Sequence, residues 1–65
     1  MSMNGKQVVA KLKEAGWVLS RIEGSHHIME KEGMPRCVPV PVHGSKDLGQ
    51  GVISAIQRQS GVKLR

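Results

Sequence analysis

The chain has 65 residues, 38% of them hydrophobic with Trp17 the one aromatic, and ten Lys and Arg against five Asp and Glu give a formal charge of +5. That length describes one small domain, residues 1–65, whose folding buries only about 60% of the unfolded surface, so a large core is excluded. The single cysteine, Cys37, excludes an intramolecular disulfide and suits a reducing cytoplasm, and no apolar run is long enough for a membrane span or a signal peptide. The positive excess on so small a surface attracts polyanions. RNA, DNA and an acidic protein all answer that description, as does a merely solvated basic face.

Asn4-Gly5-Lys6-Gln7 has the spacing of a capping box, in which Asn4 accepts from the Gln7 backbone and the Gln7 side chain reaches back. A helix is expected to begin there. Val8, Val9, Leu12 and Ala15 then recur at helical spacing while Lys6, Lys11, Lys13 and Glu14 fall mostly elsewhere, which makes an amphipathic stripe. Gly16 supplies a left-handed stop, and the lysines read as a solvated face.

Residues 17–23 are rich in strand formers and predict a first strand. Its alternate sets, Trp17, Leu19, Arg21 and Val18, Ser20, Ile22, are both mixed, so its inward face is not assignable. Gly24-Ser25 is a turn signal that returns the chain as a second strand over 26–31, and Glu32-Gly33-Met34-Pro35 marks the next turn. In a third strand over 36–42, Val38, Val40 and Val42 alternate with Cys37, Pro39 and Pro41. Alternate residues point their backbone groups to the same edge, so the prolines strip donors from one edge only. The third strand should therefore be an edge strand with its proline side outward, which blocks edge-to-edge pairing.

Asp47-Leu48-Gly49-Gln50 offers a second capping-box spacing ahead of Val52, Ile53, Ala55 and Ile56, with Gly61 as the stop and Arg58 near the negative end of the helix. Gly49 and Gly51 in the first turn suggest close backbone approach, to the sheet in preference to a phosphate. The order is α-β-β-β-α. The fold class is α+β, with a three-stranded antiparallel sheet and two helices on one face.

Chemistry is sought first at Gly24-Ser25-His26-His27, because a histidine at the mouth of a hairpin is fixed in space and open to solvent. Imidazole, with an unperturbed pKa of about 6.5, serves as both acid and base near neutrality. Two surface histidines in a hairpin are also common as plain polar strand residues. If Met29 packs inward, His27 shares its face, and His26 lies on the uncovered side with His43; Ile28 inward would reverse this. A zinc site built from His26, His27, Cys37 and His43 is disfavoured because adjacent strand residues point to opposite faces. Cys37 as a nucleophile would have to find a histidine across strands.

The ordered set as a whole resembles the HicA family, the toxins of HicA/HicB toxin-antitoxin pairs. It comprises a helix closing on Ala15-Gly16-Trp17, then Gly24-Ser25-His26-His27, Val38-Pro39-Val40-Pro41-Val42-His43-Gly44, Lys46-Asp47-Leu48, and Gly51 ahead of a helix that holds Ile53 and Ile56 and closes on Ser60-Gly61. Met29 departs from it, where an aromatic is common. The resemblance implies a double-stranded-RNA-binding-like fold and a metal-independent endoribonuclease acting on mRNA, with His26 the essential histidine and no cofactor. It also implies a HicB-type antitoxin that covers His26. Direct contact with operator DNA is not expected without the antitoxin. RNA carries its own nucleophile, the 2′-hydroxyl, so a cleaving protein has only to move protons and steady the phosphate. Ser25, Arg36 and Lys46 are the candidate RNA contacts, chosen by position, and His43 is a candidate for a substrate-contact or structural role in preference to a second acid-base group. The alternatives are a non-catalytic RNA-binding module on the same fold and a basic protein whose only partner is an acidic protein.

Overall fold

The computed structural model describes residues 3–64. Helix α1 (Gly5–Glu14) is followed by strands β1 (Val18–Glu23), β2 (His26–Glu30) and β3 (Val38–Pro41), and by helix α2 (Gln50–Ser60). The strands form one antiparallel sheet in the order β1-β2-β3. This is the α-β-β-β-α arrangement expected from the sequence.

The start of α1 is the capping box itself: Asn4 Oδ1 accepts from Gln7 N at 2.9 Å and Gln7 Oε1 accepts from Asn4 N at 2.8 Å. Both orphan groups are thereby satisfied at the helix end. Gly16 follows the helix at φ +97°, and Gly61 closes α2 at φ +74°.

The second capping box does not form. Asp47 makes an isolated bridge with Asn4, and Leu48 N donates to Met3 O at 2.7 Å. That pairing keeps residues 47–48 extended, so α2 begins at Gln50 with Gly49 as a cap that has no side-chain bond. Nor do Gly49 and Gly51 mark a close approach, since a Cβ at either would meet open space. The close approach is at Gly5, where a Cβ would run into the Pro41 carbonyl oxygen and come within 2.8 Å of Val42 Cα. Helix α1 rests its first turn on the end of β3.

Helix α1 packs on β2 and β3 and helix α2 on β3, and both contribute to one core on the same side of the sheet. Val8, Leu12, Trp17, Met29, Val38, Val40, Ile53 and Ile56 form the core between them, and Leu64 completes it. The tail that carries Leu64 is folded back by two bonds: Leu64 N donates to Gln57 Oε1 at 2.8 Å and Val62 N to Ser60 Oγ at 3.1 Å. Trp17 is fully buried, a large apolar ring at the centre of the core, and its indole N–H has no hydrogen-bond partner among the described residues.

Strand β3 is an edge, as the prolines require. Val42 N donates to Ser25 O at 2.7 Å, so the valine backbone groups face β2 and the proline nitrogens face outward. Strand β1 is the other edge and is exposed along its whole length. Its pairing slips between Leu19 and Arg21, a bulge that leaves Ser20 unpaired and shifts the phase. Leu19 and Ile22, paired with Met29 and His27, therefore point to the helix side, and Val18, Arg21 and Glu23 to the open side. That bulge is why neither alternating set looked clean.

Candidate active site

Gly24 and Ser25 are the two loop residues between β1 and β2, with Gly24 at φ +60°. A type II′ hairpin turn needs a positive φ at its first central residue, which glycine supplies without strain. Glu23 and His26 close the turn as a cross-strand pair. The position of His26 is thus set by the tightest connection in the sheet.

Met29 is fully buried against the helices. By strand alternation His27 shares its side, half-buried and paired with Val40, while His26 is exposed on the opposite side and paired with Pro41. Since Val42 N donates to Ser25 O, His26 and Pro41 form the closer, non-hydrogen-bonded kind of pair, with Cα atoms about 4.5 Å apart. The imidazole of His26 stands beside a rigid pyrrolidine ring, open to solvent. Ile28, buried at 6% exposure although outside the core cluster, and Pro39 continue that face along the strands.

The nearest carboxylate by pairing, Glu23, is engaged elsewhere: its Oε2 accepts from Arg21 Nε. That bond, then the charge of Glu23, raises the pKa of Arg21 above its ordinary value. Ser25 is half-buried, and its Oγ lies 3.4 Å from His43 Nε2. His43 leaves β3 two residues after Pro41 and heads a turn in which Lys46 N donates to His43 O at 3.0 Å. Ser25, His26, His43 and the backbone of Lys46 are accordingly assembled at one end of the sheet. Arg36 is not among them. It precedes Val38, which pairs with Met29, at least three strand residues or roughly 10 Å along β3 from Pro41. With Met34, Pro35 and Cys37 it lines a groove of ≈ 310 Å³ at that far end. Cys37 is exposed there with its Sγ 4.0 Å from Glu30 Oε2.

One candidate escaped the sequence reading. Lys6 follows Gly5, and Gly5 is packed against Pro41 and Val42, so this exposed lysine starts from the His26 end of the molecule. Only the missing Cβ at Gly5 could have hinted at it. Among the described residues no three His, Cys, Asp or Glu side chains come together in a group that could hold a metal ion.

A family model described as HicA toxin of bacterial toxin-antitoxin matches residues 5–62. The chain belongs to the HicA toxin family. The match runs from the first residue of α1 through the tail beyond α2, so this HicA chain contains the whole sheet, the Gly24-Ser25 turn and both helices within the family's span. No curated protein matches it as a relative. As a HicA chain it is a toxin of a toxin-antitoxin system, which entails an antitoxin partner. None of the described helices is long and apolar enough to cross a membrane.

Proposed function

We propose that this HicA chain is an endoribonuclease that cleaves mRNA with His26 as its catalytic residue, and that residues 1–65 act as one toxin domain. What supports the reading is the placement of His26: an exposed imidazole on a tight turn, at the end of the sheet that also carries His43, Lys46 and the start of α1. The reaction needs little else. The 2′-hydroxyl loses its proton and attacks the adjacent phosphorus, the bond to the 5′ oxygen breaks, and that oxygen takes up a proton. His26 carries out one of the two proton transfers. A positioned imidazole in that role is worth about 10²–10⁴ in rate. Lys46 and the Ser25 hydroxyl are the groups proposed to steady the phosphate charge.

The partner reading follows from the same surface. A HicB-type antitoxin silences the toxin by covering His26, and a basic chain of +5 favours an acidic cover. Replacing His26 with Ala tests the catalytic claim: cleavage of single-stranded RNA is lost while the circular dichroism spectrum and RNA affinity are retained. An undiminished rate removes His26 from the mechanism. Retained affinity in a wild-type protein that never cuts would mean a binding module.

A further inference from the structure

Ser25 is gripped twice from one short stretch of chain. Val42 N donates to its carbonyl oxygen at 2.7 Å, and His43 Nε2 lies 3.4 Å from its hydroxyl oxygen. Two consecutive residues beyond β3 thus hold both the backbone and the side chain of the residue immediately before His26. The anchor is itself tied down. The turn from His43 to Lys46 is closed by a 3.0 Å backbone bond with Gly44 at φ +57°, and two residues later Leu48 N is bonded to Met3 O.

We propose that His43 is a positioning residue for His26 and acts through the Ser25 hydroxyl, an inference that rests on the ribonuclease reading for its effect on rate. A hydroxyl has one donor and two acceptor sites. When His43 Nε2 carries a proton it donates to Ser25 Oγ, which leaves the hydroxyl hydrogen free to point at a phosphate oxygen beside His26. Without the ring, the serine side chain is free among its three staggered wells and the turn loses its lateral tie.

The test compares wild type with His43→Ala, His43→Gln, Ser25→Ala and the Ser25→Ala/His43→Ala double variant, by steady-state RNA cleavage and by the NMR signal of the His26 ring without RNA. A glutamine amide can replace the Nε2 donor. His43→Ala is expected to lower kcat between roughly 10- and 100-fold, the scale of a small misplacement of a reacting group, with KM unchanged. His43→Gln recovers most of that loss. The double variant is no slower than the slower single variant, and the His26 signal moves in His43→Ala but no further in the double. A wild-type rate in His43→Ala, independent losses that multiply, or an unmoved His26 signal overturns the proposal. If the wild type leaves RNA intact while the His26 signal moves as described, the ribonuclease reading falls and the Ser25 clamp stands.

Discussion

A single absent carbon lets α1 sit where the site needs it. At Gly5 a Cβ would collide with the Pro41 carbonyl and with Val42, both backbone-anchored and unable to swing aside. Ordinarily Gly→Ala in a helix gains about 1 kcal/mol, but forcing atoms into a filled contact costs about 1–3 kcal/mol. Gly5→Ala is therefore expected to be net destabilising, as measured by urea unfolding. Gly51 gives the opposite sign. It lies in the first turn of α2, its φ is not positive, and open space surrounds the position of a Cβ. Gly51→Ala should stabilise by about 0.4–1 kcal/mol. Equal shifts in the two variants would refute the packing contact at Gly5. The sequence presents both residues as glycines near a helix start, and only the fold tells them apart.

At the scale of elements the two edges of the sheet are managed differently. Strand β3 is blunted by Pro39 and Pro41, whereas β1 exposes Val18, Leu19 and Ile22 with Ile22 at 55% and relies on its bulge. Because the helices lie over β2 and β3, apolar residues on β1 add little to the core. Replacing Ile22 with Thr is expected to shift stability by no more than about 0.5 kcal/mol, while Met29→Ala on the next strand should cost about 2–5 kcal/mol. Comparable losses at both positions, read from denaturant midpoints, would mean that β1 is covered in solution. The difference also explains what could be read in advance. The valine–proline alternation fixed the phase of β3 and the turn signal at Gly24-Ser25 fixed the hairpin, but the side of His26 stayed open between Met29 and Ile28 until the fold put Met29 into the core against the helices. The second capping box failed because local spacing carries no record of the Asn4–Asp47 bridge. His43 was chosen by its place in the chain, yet its contact with Ser25 spans 18 residues of sequence and had no local signal.

For the whole molecule, on the proposed ribonuclease reading, the distribution of charge and of aromatic surface decides how RNA would be held. The net charge is +5, and Trp17, the one residue among Phe, Tyr and Trp, is only 1% exposed. Stacking of bases on a Phe, Tyr or Trp platform, worth about 1–3 kcal/mol per base where it occurs, is therefore not open to this protein, which leaves phosphate contacts as the main source of affinity. Each phosphate neutralised releases counterions, giving a slope of about −0.7 in log affinity against log salt for single strands. The His26→Ala protein should accordingly bind oligo(U) and oligo(A) of equal length with similar affinity at a given salt concentration and with the same salt slope. Lys46→Gln, at the His26 end, should weaken both equally and flatten the slope by about one such increment. Fluorescence anisotropy titrations at several salt concentrations measure all of these. A preference between the two homopolymers that persists as salt is raised would show a base-reading contact and defeat the argument from buried Trp17.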